Sequence, residues 1–274
     1  MTQAGTLRFL LRMGLGTAAV IVVSAVVLID HWQRQALLEP EIVTGWILLG
    51  AIVFLVLFNL RKKLPMVPLG RTSDWLAAHV AIGLATAAVY AVHARELWPS
   101  GYELALALLF YAVTLSGLLG YLLQRQVPRA VADIEHEVIW ERIPAELAAL
   151  RERAEAIVLE CARETGSEVL PRLYREDLAW YFRKPRFVVA SLVGDGVSAS
   201  WLRHRFASVL PYLRGPELSY RDALRVCAKR KVDIDRAFAL QGLLKVWLLV
   251  HVPATYGFLV LVVWHVILVH VYFA

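Results

Sequence analysis

Apolar positions gather in this chain into five long runs, at residues 7–29, 44–60, 75–93, 102–124 and 240–274, with a long mixed segment before the last of them. A helix needs roughly 17–25 apolar residues to cross hydrocarbon about 30 Å thick, so each run is long enough to span a membrane. The mixed segment, 125–238, carries apolar residues at helical intervals in IPAELAALRERAEAIVLECARE and LYREDLAWYF, and Pro171, Pro185, Gly194, Gly196, Pro211 and Pro216 punctuate it. Leucines and aromatics are too frequent there for a disordered linker, so several short helices in a small domain are expected. The predicted fold class is all-α: a polytopic membrane helical bundle with four spans in 1–124, a helical insert at 125–238 and a fifth span in 239–274. About 35 residues of helix exceed the bilayer, and Pro253, which removes a hydrogen bond to the carbonyl of Leu249, marks the expected bend in the last span.

Composition sharpens this picture. Hydrophobic residues make up 59% of the chain and charged residues 19%, a membrane composition that excludes a soluble protein. The net charge of +6 and pI near 9.4 do not point to nucleic acid, because the cations flank the spans or lie in an insert nearly as acidic as it is basic. Arg61, Lys62, Lys63 and Arg71 sit in the link after the second run, whereas Arg95 is the one cation at 94–101. By the positive-inside rule the N-terminus and the insert are cytoplasmic, the odd-numbered spans exit and the C-terminus lies outside, as in a bacterial cytoplasmic (inner) membrane protein. The first run is read as an uncleaved anchor. Cys161 and Cys227 form no CxxC, CxxCH or four-cysteine set, so iron–sulfur clusters and covalently attached haem are not expected, and two unpaired thiols are.

Histidines carry the chemical signal. His79 and His93 are fourteen residues apart in the third run, and His251 and His265 are fourteen apart in the fifth. Fourteen residues of helix rise about 21 Å and return to within about 40° of the same face. With both spans running outward, His79 comes level with His251 and His93 with His265. Each pair supplies two neutral imidazoles to one iron, which predicts two b-type haems with bis-histidine ligation at two membrane depths. Gly83, Thr86 and Tyr90 share the histidine face of the third span, and Gly83 gives a macrocycle room beside His79. Gly14 and Gly16 offer a close approach to a helix or a macrocycle, and ordinary small-residue packing reads equally well. His136 and His204, among charged residues, read as solvated or hydrogen-bonded.

The two fourteen-residue spacings resemble those of the di-haem cytochrome b superfamily, including quinol-oxidising cytochrome b. Their placement on the third and fifth spans is similar to the transmembrane domains of ferric reductases and NADPH oxidases. The resemblance implies transmembrane electron transfer by a subunit of a membrane oxidoreductase complex. Those reductases have a sixth span leading into flavin and nicotinamide domains, and the insert here has no counterpart in them, so electrons are expected to enter from quinol or a separate protein.

The expected role is exchange of electrons between the quinone pool and a redox partner, such as a periplasmic c-type or multihaem cytochrome, within a hetero-oligomeric complex. A reductase anchor fed by a cytoplasmic flavoprotein or iron–sulfur protein is a second reading, and a haem-free membrane scaffold a third. Arg61 and Arg71, with Lys62 and Lys63, are candidate partners for the propionates of the inner haem and Arg95 for those of the outer one, and all of them serve equally as topology determinants. For a quinone, the outer side offers Asp30, His31, Glu96, Glu103 and His270, and the inner side Asp74 and Lys245. The run CAKRKVDIDR reads either as a segment meeting lipid phosphates or as a docking patch for an acidic protein.

Overall fold

The computed structural model describes residues 3–36, 40–63, 71–94, 96–194 and 196–272. Their regular structure is helical throughout. The long helices are α1 (Gln3–Gln35), α2 (Pro40–Lys63), α3 (Thr72–His93), α4 (Tyr102–Ala132) and α10 (Glu217–Tyr272). All five are long and apolar enough to cross a membrane. The chain divides into two compact units, Met1–Tyr121 with Leu248–Ala274 and Leu122–Trp247.

The first unit is a helical bundle whose outer surface is greasy. Val20, Ile21 and Leu28 on α1, Leu84 on α3, Leu115 on α4 and Val260 on α10 are exposed, as lipid-facing side chains are when no bilayer is drawn. Helices suit this environment, because their backbone hydrogen bonds are made within each segment. Inside, α3 packs against both α1 and α2, with Val26, Leu48 and Val89 buried where the three meet. Helices α2 and α3 are antiparallel: Thr44 meets His93 while Phe58 meets His79. Helices α4 and α10 are antiparallel too, since Tyr102, Phe110 and Ser116 meet His265, Phe258 and His251 in turn. Helix α10 continues through Pro253 without interruption. Gly14 and Gly16 have nothing within 4 Å of a built Cβ among the described residues.

The second unit takes up the expected insert. It contains the end of α4, a 3-10 turn Trp140–Arg142, α5 (Ile143–Thr165), α6 (Val169–Leu173), a π-helical turn Tyr174–Leu178, α7 (Ala179–Phe182), α8 (Val188–Val193), α9 (Gly196–Val209), a 3-10 turn Leu210–Tyr212 and the start of α10. Several of the prolines and glycines fall at the breaks: Gly194 ends α8, Pro211 sits in the second 3-10 turn and Pro216 precedes α10, whereas Pro171 lies inside α6. Ala154, Val158 and Cys161 on α5 face Leu224, Cys227 and Ala228 on α10 in one core, three- and four-residue steps aligning each set on one face. Both cysteines are free and buried, and burial pushes the Cys161 thiol up, so it is an inert core residue.

Among the described residues of that unit, one ion pair is fully buried. Lys231 and Asp235 are one helical turn apart on α10, both fully buried, with Nζ 2.5 Å from Oδ1. Asp235 Oδ1 also accepts the backbone N–H of Arg186 at 3.1 Å, and Lys231 Nζ lies 4.5 Å from the ring centre of Tyr181. The pair thus ties α10 to the segment after α7. Removing one partner strands the other charge, which costs roughly 3–5 kcal/mol, whereas replacing both by apolar groups of similar volume is often neutral. Asp235→Ala is therefore expected to lower the stability of the full chain by about 3–5 kcal/mol in urea unfolding followed by near-UV circular dichroism, and Lys231→Met with Asp235→Leu to restore most of it. A loss below about 1 kcal/mol for Asp235→Ala would show that the charge is not sequestered.

Candidate functional site

All four span histidines line internal cavities of the first unit, and they do so in the two pairs expected. One cavity, with an empty volume of about 770 Å³ including its mouth, is lined by His93 of α3 and His265 of α10. The other, about 920 Å³, is lined by His79 of α3 and His251 of α10. Residue numbers rise together on the two helices, so α3 and α10 run parallel.

The hydrogen bonds of two histidines favour one tautomer. Ser116 Oγ is placed to donate to the carbonyl of Val113 at 2.9 Å and contacts His251 Nδ1 at 2.7 Å. A hydroxyl has one hydrogen, so with it on the carbonyl the imidazole is the donor, with its proton on Nδ1 and its lone pair on Nε2. Thr44 repeats the arrangement, donating to the carbonyl of Glu41 at 3.2 Å and meeting His93 Nδ1 at 3.0 Å. His93 therefore also has its lone pair on Nε2. Tyr102 Oη lies 3.3 Å from Nδ1 of His265. This is how metal-binding histidines are held, with one ring nitrogen anchored by a hydrogen bond and the other left to ligate.

Each hydroxyl is followed by a glycine. A Cβ on Gly45 would stand 3.2 Å from His93 Cε1, tighter than ordinary contact, so Gly45 makes room for that ring, whereas one on Gly117 would stand 3.6 Å from His251 Cε1, an ordinary contact. The Thr44-Gly45 and Ser116-Gly117 pairs repeat one arrangement, on α2 for one cavity and on α4 for the other.

The His93 and His265 ring centres are 6.4 Å apart, with planes at 85°. An imidazole nitrogen lies about 1.1 Å from its ring centre when ring bonds are near 1.33 Å, and a metal–imidazole bond is about 2.0–2.1 Å, so two imidazoles in line on one metal ion have centres about 6.3 Å apart. The observed separation suits a shared metal ion. His79 lies against Phe58, ring centres 5.0 Å apart, and Gly83 opens onto its cavity with nothing within 4 Å of a built Cβ.

Three buried side chains, Ile52, Phe110 and Phe258, line both cavities and separate them. The two phenylalanine ring centres are 5.8 Å apart, and Tyr90 stacks on Phe110 at 4.2 Å. The septum is apolar.

No protein-family model, curated protein or solved structure matches this chain.

The cationic candidates are placed differently from the histidines. Arg71 is exposed ahead of α3 and is not among the residues lining either cavity. Arg61 belongs to α2, but its side chain, like the whole of Arg95, lies outside the described residues. Of the outer candidates for a quinone, His270 lines the His93 cavity, its ring 5.5 Å from that of Trp46 and its Nδ1–H donating to the carbonyl of Val266 at 2.8 Å. Glu41 lines the same cavity and was not singled out from the sequence. His136 contacts Asp233 at 3.0 Å, as a hydrogen-bonded surface histidine does, and the Lys229 ammonium holds neighbouring Glu135 below the usual carboxylate range.

Sequence reading missed Thr44, Gly45 and Ser116. The available signal was a hydroxyl residue followed directly by glycine in each of two apolar runs, where an isolated polar group asks for a partner. Ser116→Ala removes the acceptor of a buried N–H, at a cost of about 1–3 kcal/mol. In nitrogen NMR of histidine-labelled protein, His251 and His93 are expected in the Nδ1–H form, and Ser116→Ala should release His251 to a tautomer mixture while leaving His93 unchanged.

Proposed function

We propose that this protein is a di-haem b-type membrane cytochrome, resembling the di-haem cytochrome b superfamily, that carries electrons across the bilayer. The observation that supports it best is the pairing itself: one histidine from α3 and one from α10 line each of two cavities, at two levels of a membrane bundle. His79 and His251 would hold one haem and His93 and His265 the other, each haem supplying a one-electron couple when bound. Nε2 lone pairs on His251 and His93 fit this role, because the hydroxyls of Ser116 and Thr44 anchor the opposite nitrogens. Gly83 and Gly45 keep the walls open beside the rings. The Ile52, Phe110 and Phe258 septum keeps the region between the sites low in dielectric, which sets redox potentials through burial.

The basic link after α2 orients the bundle with the His79 level on the cytoplasmic side of a bacterial inner membrane and the His93 level outside. Quinol is the proposed electron donor or acceptor, and His270 and Glu41, both lining the outer cavity, are the groups there that accept its protons. A c-type or multihaem cytochrome outside the membrane is the proposed protein partner, in a hetero-oligomeric oxidoreductase.

A pyridine haemochrome assay on the purified full chain, with reduced-minus-oxidised spectra, is expected to give about two b haems per chain, as two bis-histidine sites require. His79→Ala should remove one and His265→Ala the other, leaving a single spectral component each time. A well-folded preparation without haem, or loss of both haems only when all four histidines are changed, would reject this assignment.

A further inference from the structure

A third cavity lies within the second unit, and nothing in the electron-transfer reading uses it. Its empty volume is about 810 Å³. Arg151, Arg183 and Lys184 stand among its lining residues with no carboxylate, while Trp140, Phe182 and Phe238 supply aromatic surface. Trp140 and Phe238 stack with ring centres 4.8 Å apart and planes at 10°. The pocket therefore pairs cations with an aromatic floor, one ring of which, Trp140, also carries Lys245 Nζ 4.4 Å from its centre.

The charge is fixed in place. Phe182 is buried in the core at one end of the segment that carries Arg183 and Lys184. At the other end, the backbone N–H of Arg186 is held by the buried Asp235, and the Arg186 guanidinium lies 4.0 Å from the Trp180 ring centre. The buried ion pair of Lys231 and Asp235 thus positions a cationic loop. Arg151 is shared with exposed Glu155 at 3.6 Å, but among the described residues no carboxylate lies within ion-pair distance of Arg183 or Lys184. The basic run of α10 is different, because Lys229, Arg230 and Lys231 pair with Glu135, Glu146 and Asp235. Its cations are taken up inside the unit.

We propose that this cavity binds the headgroup of an anionic phospholipid, with Arg183, Lys184 and Arg151 on the phosphate and the Trp140 and Phe238 pair against the glycerol and first acyl carbons. An amphiphile matches a site that is cationic on one wall and aromatic on its floor, whereas a free anion or an acidic peptide leaves the floor unused. Tryptophan and basic residues are the side chains that meet lipid headgroups, each cation contributing about 1 kcal/mol.

The test is calorimetric titration of the delipidated full chain in neutral detergent with dihexanoyl phosphatidylglycerol, dihexanoyl phosphatidylcholine, inorganic phosphate and a tetraglutamate peptide. Phosphatidylglycerol should bind most tightly, about 30-fold more weakly to the double variant Arg183→Gln with Lys184→Gln and about fivefold more weakly to Lys184→Gln alone. Lys229→Gln, whose cation is paired outside the cavity, should bind as wild type. Far-UV circular dichroism checks that each variant is folded, and the single variant carries the test if the double one is not. Equal binding of the two lipids, or undiminished binding by a folded variant, overturns the proposal. Phosphate binding as tightly as phosphatidylglycerol would make the site a simple anion pocket, and tighter tetraglutamate binding would make it a protein-docking patch; either result also overturns it.

Discussion

An imidazole N–H inside an apolar span has no water to bond with, and the bundle is arranged around satisfying it. Ser116 and Thr44 each spend their single hydrogen on a carbonyl of their own helix, which leaves an oxygen lone pair facing a histidine of a neighbouring helix. That choice decides which ring nitrogen holds the proton, and so which one presents a lone pair. Beside His93 the helices come close enough that Gly45, next to Thr44, is needed to admit the ring. The same polar contacts that lower the cost of burying an imidazole in hydrocarbon give it a defined orientation.

The helix directions then determine what the histidines form together. Antiparallel contact of α2 with α3 and of α4 with α10 places one hydroxyl-glycine pair beside a histidine of each span that carries two. Parallel α3 and α10 bring equal depths together, so that a fourteen-residue repeat on each helix becomes two sites. Phe110 and Phe258, packed between those sites, make them separate cavities instead of one channel. A bundle with two isolated, histidine-lined chambers is well suited to hold two redox centres in sequence, which is the basis of the proposed function.

The second unit follows a different rule. Its core is helical, closed by α5, α9 and the polar part of α10, and the one ion pair fully buried among its described residues acts on the fold by fixing a loop. The aromatic group of Trp180, Tyr181, Phe187 and Trp201 packs beside it and holds Phe187 at φ of 53°, in the left-handed region that a bulky side chain seldom adopts. What that local order leaves at the surface is a pair of cations over an aromatic floor.

The five long apolar helices and the two histidine repeats were legible in the chain alone, because a bilayer demands long apolar helices and makes any histidine within them conspicuous, whereas the helices extend beyond the apolar runs. The helical insert was legible for a similar reason: apolar residues recur at three- and four-residue steps, and prolines and glycines mark the breaks. Tertiary structure decided the rest. Which hydroxyl meets which imidazole depends on contacts between residues 49 and 135 positions apart, as for Thr44 with His93 and Ser116 with His251, and no local pattern encodes them. The basic run on α10 looked like a surface patch because pairing with Glu135 and Glu146 across the fold is invisible along the sequence. Periodicity reports which face of a helix is buried, whereas the partner that a polar group finds there is settled only when the helices pack.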